Sequence, residues 1–498
     1  MTTETAAPQA VTGKTYQLII NGDTVEPKSG KTFERRNPAN GDVVATCPAA
    51  SAEDTDAAIQ AARATFDSGS WSRTTARQRA EVLRKTATKL RDEQNYLGRL
   101  LASEVGKPLA EAMGEVALTA EVFDYYAGLA LDVKGQVVSN WTDDAMGLIL
   151  KEPVGVVGII TPWNFPLILA SWKIAPALAV GCTLVIKPAT YTPCTTYELG
   201  RILNEAGAPK GVVNVITGPA RDTGARLAES ALIDKIAFTG STEVGKEVMR
   251  AAAGNVKKIS LELGGKSPNI VFADADLQGA VIGSLFGIYL NAGQVCQAGS
   301  RLLVEESIHD QFMAMFTNFT AGVKVGDPLD PSTRMGPLVS EDQLNTVAGY
   351  VDAGKKEKAQ LVKGGNRLTG DEYDKGFFYE PTIFDQVDNR MKIAQEEIFG
   401  PVLSVIPFKD ANEALQIAND SMYGLAAAVW TKDINKAFKF AKGIKAGTVW
   451  VNAYHAAGTL GVPLMPFGGY KQSGIGREMG QEGMSLFTET KSVSIKIN

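Results

Sequence analysis

From about residue 52 to 130 apolar residues recur at three- and four-residue spacing, in AEDTDAAIQAARATF and RQRAEVLRKTATKLRDEQNYLGRLLASEVG. That spacing predicts amphipathic helices. Beyond residue 130 the texture changes. GLILKEPVGVVGIITPWN reads as short β-branched strands broken by Gly and Pro, followed by a helix, ILASWKIAPALAVG, and a strand, CTLVIKP. TPCTTYELGRILNEAG predicts a helix with Thr192 as N-cap and Pro193 in its first position. GVVNVITG, DKIAFTG and KKISLELGG then alternate with helical stretches. Strands alternating with helices at this interval predict a parallel α/β sheet. SRLLVEESI, AQLVKGG, PVLSVIPF, LAAAVWT and GTVWVN continue the alternation past residue 265, which predicts a second α/β domain. The composition shifts near 130–155 and 265 mark the expected boundaries.

FTGSTEVGKE (238–247) brings the first chemical candidate. Gly240, Gly245 and Lys246 have the spacing of a phosphate-binding P-loop, but Glu247 stands where that loop needs a Ser or Thr hydroxyl. NIVFADAD, with its strand ending in Asp274, imitates the metal-holding strand of the nucleoside triphosphatases that use such a loop. Strand, Gly turn and a helix opening at Ser241 or Thr242 still form a place where backbone N–H groups can hold a phosphate at the carboxyl end of a parallel sheet.

Composition narrows the classes. The chain has 498 residues, 45% hydrophobic and 21% charged, with a formal net charge of −5 and charges of both signs interspersed. This is ample material for packed cores and gives no basis for a nucleic-acid partner. No apolar run reaches the ~18 residues of a membrane span, and the N-terminal stretch does not read as a secretory leader, so no membrane partner is expected. The four cysteines, Cys47, Cys182, Cys194 and Cys296, are far apart, which argues against a disulfide framework or a structural metal site and fits a reducing cytoplasm. With only His309 and His455 in the chain, a His-rich metal site is excluded; no metal is expected.

Cys182 lies in the apolar run ALAVGCTLVI and reads as a buried thiol. Cys194 falls in a helix's first turn, where the dipole can lower a thiol pKa, although an ordinary helical role is the simpler reading. Cys296, in LNAGQVCQAGSR, sits among Gly and Gln directly before a strand, which suits an accessible nucleophile. His309, in EESIHDQFMAMF, reads as the exposed face of an amphipathic helix and so is a poor base for that thiol. Glu262 is the better base candidate: it alternates away from Leu261 and Leu263 at a strand end beside Gly264 and Gly265, where partial desolvation raises a carboxyl pKa. Asn164, in TPWNFP, offers an amide on a rigid turn for an oxyanion.

TPWNFPL, VIKPA, FTGSTEVG, LELGGKSPNIVFADAD, GQVCQAGSR, EEIFGPV and PFGGYKQSGIGRE, in this order over nearly the whole chain, resemble the aldehyde dehydrogenase superfamily, hydrolytic type. The resemblance implies that Gly240 and Ser241 form a dinucleotide turn, that Lys246 is an ordinary helix residue and that Asp274 begins a helix. It implies oxidation of an aldehyde to the acid with reduction of NAD or NADP: Cys296 attacks the carbonyl, Asn164 and the Cys296 N–H hold the oxyanion, and Glu262 activates water, the second substrate, to release the acid. Coenzyme-A-acylating relatives lack this carboxylate. Lys187, Thr190, Glu397 and Phe399 would contact the cofactor, with Thr161, Pro162, Trp163 and Gly264 around it. Phe165, Leu169, Trp172, Val295, Gln297, His455, Ala457 and Phe467 would line the substrate pocket, an apolar wall suited to medium-chain aliphatic or aromatic aldehydes.

The fold implied is a Rossmann-like cofactor domain (1–133 and 154–264), an α/β catalytic domain (265–477) and a β-strand oligomerisation arm (134–153 and 478–498). Unpaired arm strands would imply a homodimer or homotetramer. Two departures stand out. Thr190 occupies the end of KPAT where NAD-preferring members usually have Glu, which implies that NADP is accepted. The loop from Asn452 to Gly469 is longer than usual, with small Ala456 and Ala457.

Overall fold

The computed structural model describes residue 11, residues 13 to 455 and residues 463 to 497. Ala456 and Ala457 therefore lie outside the described residues, and the pocket role expected of Ala457 is not addressed by them.

The helical N-terminal half resolves into Ala52–Ser68, Ala76–Asp92, Gln94–Val105 and Leu109–Leu129. Their boundaries follow local chemistry. Ser51 with Asp54 and Thr75 with Gln78 form reciprocal capping boxes, and Gly69 ends the first helix at a φ of 74°. The Leu109–Leu129 helix buries Val116, Ala120 and Phe123 in the same core as Leu167, Ile174 and Leu178 of the Pro166–Val180 helix.

That core covers a sheet with strand order Gly474–Ile475, Lys258–Glu262, Lys235–Thr239, Val156–Ile160, Thr183–Lys187, Val213–Val215, Leu18–Ile20, Asp23–Val25. The strands from Lys258–Glu262 to Val213–Val215 are parallel. From Val156–Ile160 the chain adds two strands on one side, then crosses to place Lys235–Thr239 on the other. The order reverses between these two neighbours, and a crevice opens beyond their carboxyl ends. It falls between Thr161–Asn164 and Gly240–Ser241. The Gly474–Ile475 strand pairs antiparallel with the strand ending at Glu262, so the tail of the 265–477 segment returns to the first sheet.

The second sheet runs Gln360–Lys363, Thr382–Asp385, Val402–Phe408, Arg301–Glu305, Pro268–Val271, Ala426–Trp430, Thr448–Val451, parallel except for its first pair. A separate antiparallel sheet joins Gln136–Thr142, Ala145–Pro153 and Thr488–Lys496. A small sheet of Lys14–Thr15, Thr32–Arg36 and Val43–Pro48 has no counterpart in the sequence reading.

Several local expectations need correction. Asp274 does not begin a helix: its carboxylate accepts from Thr431 Oγ1 (2.7 Å), Lys436 Nζ (3.1 Å) and the Asp433 N–H (3.1 Å), and the next helix starts at Leu277. His309 is 8% exposed rather than surface-facing, held between Asp310 and Asp385. Thr192 is the N-cap residue, yet its side chain makes no capping bond; the buried Glu104 carboxylate takes the N–H groups of Cys194 (2.5 Å) and Thr195 (3.1 Å) instead. Burial, followed by contact with Cys47 at 3.8 Å and the charge of Glu104, holds the Cys194 thiol far above its ordinary pKa, so any lowering by the helix dipole is overridden. No described helix is long and apolar enough to cross a membrane.

Candidate active site

The site is assembled from two glycine-rich crossings. Gly264 and Gly265 follow the strand that ends at Glu262. A Cβ on Gly265 would stand 2.4 Å from the Cys296 carbonyl oxygen, and one on Gly264 would stand 2.3 Å from Glu397 Oε2. Only residues without a Cβ allow the strand end to pass between the thiol loop and the Glu397 carboxylate. Glu397 is fastened there by the Gly265 N–H (3.0 Å), and burial pushes its carboxyl up to about 7.

A cavity of about 430 Å³ occupies the crevice at the strand reversal. Thr161, Pro162, Trp163, Asn164, Lys187, Thr190, Gly240, Ser241, Gly264, Cys296, Glu397 and Phe399 all line it. Ser241 caps the Thr242–Ala252 helix through the Val244 N–H (3.3 Å), which turns a helix N-terminus toward this cavity. Phe399 is left-handed (φ 57°), meets Trp163 edge-on at 5.1 Å, and its carbonyl accepts from Gln343 Nε2 (2.9 Å). A non-glycine residue in that conformation is strained, and such strain clusters at ligand sites. Lys187 is 2% exposed, and burial lowers its ammonium to about 8. A buried cation short of counter-charge, a carboxyl held above its normal range and an exposed helix start are a donor set that fits a dinucleotide.

A second cavity of about 350 Å³ approaches from the opposite side. Phe165, Leu169, Trp172, Val295, Gln297, His455 and Phe467 line it, together with residues the sequence reading missed: Glu111, Glu115, Leu118 and Phe286. Trp172 and Phe467 pack at 5.2 Å. Gln297 Nε2 and His455 Nδ1 lie 3.1 Å apart, and burial lowers the imidazole to about 3, so it is neutral. Glu111 and Glu115, one helical turn apart behind Lys107, left a trace in the sequence: carboxylates at four-residue spacing in LAEAMGEVAL, the otherwise apolar first half of the helix. Glu115 receives Lys107 Nζ (2.6 Å) and the N–H groups of Leu167 (3.0 Å) and Ile168 (3.3 Å), fixing the start of the helix that follows Asn164. Burial pushes the Glu111 carboxyl up to about 7.

Among the described residues Cys296 alone lines both cavities. It is the one cysteine with intermediate exposure. Burial, then the Glu397 and Glu262 carboxyls, push its thiol up to about 12, against the pull of the N–H groups of Gln297 and Cys296. Asn164 is 2% exposed and its Nδ2 donates to the Gln294 carbonyl (3.0 Å). Glu262 is 4% exposed, lines neither cavity, and has no hydrogen-bond partner on either carboxyl oxygen among the described residues. Burial, then the charge of Glu478, raises its pKa well above the carboxylate norm. Lys173 lies close by, its Nζ donating to Glu478 Oε2 (2.9 Å) and Thr239 Oγ1 (2.6 Å); this buried pair gave no signal in the sequence.

A thiol at the meeting point of a dinucleotide-type crevice and an apolar tunnel, with a carboxamide and a desolvated carboxyl nearby, is the arrangement of a cofactor-dependent oxidoreductase. The chain belongs to the aldehyde dehydrogenase family, whose sequence model matches residues 24–493. It is 46% identical over 476 residues to a betaine aldehyde dehydrogenase of Bacillus subtilis (strain 168), covering 96% of each chain. It is also 46% identical over 482 residues to an aldehyde dehydrogenase of Alternaria alternata, covering 96% of this chain and 95% of that protein. Among solved structures, an NAD-dependent aldehyde dehydrogenase from Sinorhizobium meliloti superposes with a TM-score of 0.95 at 44% identity, over 97% of this chain and 95% of that one. A betaine aldehyde dehydrogenase from Staphylococcus aureus in complex with NAD+ gives the same TM-score and identity over the same shares.

Proposed function

We propose that the protein oxidises an aldehyde bearing an apolar aliphatic or aromatic chain to the free carboxylic acid, with NAD or NADP as acceptor. The observation that carries this reading is the position of Cys296, which alone among the described residues lines both cavities. Its sulfur adds to the aldehyde carbon, and the oxygen that becomes negative is held by Asn164 Nδ2 and the Cys296 N–H. Lys187, Glu397, Phe399 and the Ser241 turn hold the nicotinamide dinucleotide, which supplies the hydride acceptor. Glu262 takes a proton from the water that cleaves the thioester; its desolvated carboxyl has the raised basicity this requires. Thr190, whose hydroxyl donates to the Gly218 carbonyl (3.3 Å), carries no charge to repel a 2′-phosphate.

A second substrate reading rests on Glu111. Glu115 in the same cavity is paired with Lys107, which leaves the Glu111 carboxyl beside Phe165, Trp172, Phe286 and Phe467, and that is also the chemistry that receives an organic cation, through ring faces and a counter-charge. The relatives that act on betaine aldehyde keep this reading in play. The test is a panel of aliphatic, aromatic and trimethylammonium aldehydes, assayed by absorbance of the reduced nicotinamide with each cofactor. Preference for hydrophobic aldehydes supports the first reading and preference for the ammonium aldehyde the second; no turnover with any aldehyde refutes both.

Homo-oligomerisation is part of the proposal. The Gln136–Thr142 and Thr488–Lys496 strands leave two sheet edges open, and Val137 (64% exposed), Val138, Met146, Leu150 and Ile495 leave an apolar surface beside them. Light scattering that gives a monomer mass would overturn it.

A further inference from the structure

Glu111 lies in the substrate tunnel, yet its firmest contact is with the backbone behind the reactive thiol. Its Oε2 accepts the Asn291 N–H at 3.0 Å. Asn291 and Ala292 are consecutive left-handed residues, with φ 48° and 55°. Neither is glycine, and while Asn tolerates this region, an alanine in it is strained. A conformation of this kind persists only where its surroundings hold it.

What Asn291 does in that conformation links it to the chemistry. Its side-chain Nδ2 donates to the Asn164 carbonyl oxygen (3.0 Å) and to the Gln294 carbonyl (3.3 Å). The Asn164 carbonyl also receives Lys107 Nζ (2.7 Å). The amide of Asn164 in turn reaches the same Gln294 carbonyl (3.0 Å). Asn164 and Asn291 are 2% and 1% exposed, so neither can exchange these bonds for water. One unbroken path thus runs from Glu111 through Asn291 to the residue proposed to hold the oxyanion.

We propose that Glu111 is a positioning residue: by its reach, and independently of its charge, it clamps the left-handed turn at Asn291 and thereby aims Asn164. The proposal rests on the reading of Asn164 as oxyanion donor. It gives one tunnel residue a hold on the chemical step, separate from any contact with the substrate.

The test compares Glu111→Gln, which keeps the length and an acceptor oxygen but loses the charge, with Glu111→Asp, which keeps the charge and is one methylene too short. With a neutral aliphatic aldehyde, the kcat of Glu111→Gln should exceed that of Glu111→Asp by about fivefold or more. Glu111→Asp should lose about tenfold or more in kcat with little change in KM, the pattern of an interaction used in the transition state. Adding Ala292→Gly to Glu111→Asp, so that the turn no longer needs holding, should restore a large part of the loss. Alkylation of Cys296 by iodoacetamide, which makes no use of Asn164, should proceed at the wild-type rate in all of these proteins. The opposite ranking, with Gln impaired and Asp active, would make Glu111 a charge partner and overturn the proposal. So would two wild-type-like variants, or an alkylation rate that falls with kcat. Asn164→Ala serves as the control: if it leaves kcat intact, the oxyanion reading fails whatever Glu111 does.

Discussion

The amide nitrogen of Asn164 donates to the carbonyl oxygen of Gln294, two residues ahead of the reactive sulfur, at 3.0 Å. A carboxamide has two N–H donors. One is spent in holding the side chain's plane, and the other remains for the oxygen of a thiol adduct. Asn164→Ala should therefore lower kcat by roughly 10²–10³-fold, the range seen when one oxyanion donor is removed. Cofactor affinity, measured by fluorescence titration, should barely move. A loss confined to cofactor binding would give Asn164, which lines the dinucleotide crevice, a binding role in place of the oxyanion role.

Exposure separates Cys296 from its three counterparts, of which Cys47 is 1% exposed and Cys182 and Cys194 are fully buried. Native protein treated with iodoacetamide should take up one equivalent, located by peptide mass spectrometry at Cys296. The attacking species is the thiolate. Burial and two neighbouring carboxyls hold this thiol near 12, so without cofactor the alkylation rate should climb about tenfold per pH unit from 7 to 10. A plateau reached near neutrality would mean that the thiol is already ionised.

Glu262→Gln should keep a single-turnover burst of reduced cofactor while steady-state turnover falls by about 10²–10⁴-fold, as a lost general base predicts. Loss of the burst as well would assign Glu262 to activation of the thiol.

The same residue makes a prediction about stability. Its folded-state pKa is raised above the ordinary 4.5, so between that value and the raised one the folded protein binds the extra proton. Stability must then fall as pH rises through this window. Glu262→Gln removes the titration, and its Tm relative to wild type should improve steadily from pH 5 upward. A pH-independent difference would contradict the desolvation of this carboxyl.

Thr190→Glu should shift the NADP:NAD ratio of kcat/KM toward NAD. Two unit charges about 4 Å apart at an effective dielectric near 20 repel by about 4 kcal/mol. If ~1.4 kcal/mol of this survives screening, the ratio moves about tenfold. Side-by-side kinetics of both proteins with both cofactors decides it, and an unchanged ratio would place cofactor selection elsewhere.

The sequence made the parallel strands legible because buried strands in α/β proteins read as near-continuous runs rich in Val, Ile and Leu, and Val156–Ile160 and Thr183–Lys187 are of that kind. It made Cys296 legible because a thiol among Gly and Gln has no packing role to explain it. The strands of the first fifty residues escaped notice: they are two to six residues long, and several carry polar residues on both faces. His309 was misread because periodicity tells which face a residue occupies, whereas its burial comes from Asp385, 76 residues away. The same limit hid the Lys173–Glu478 pair, whose partners are separated by 305 positions. Contacts of that span leave no local pattern.

The pairing of Gly474–Ile475 with the strand of Glu262 has a bearing on how the protein is made. Chains emerge from the ribosome N-terminus first. The Cys296 loop and both halves of the crevice are therefore synthesised well before the segment that closes over Glu262, where Gly468 approaches one carboxyl oxygen and Glu478 sets the surrounding charge. Until that last segment docks, Glu262 lacks the neighbouring Gly468 and the Glu478 charge that helps to raise its pKa. An unfinished chain thus carries the proposed nucleophile before the surroundings of the proposed base are complete.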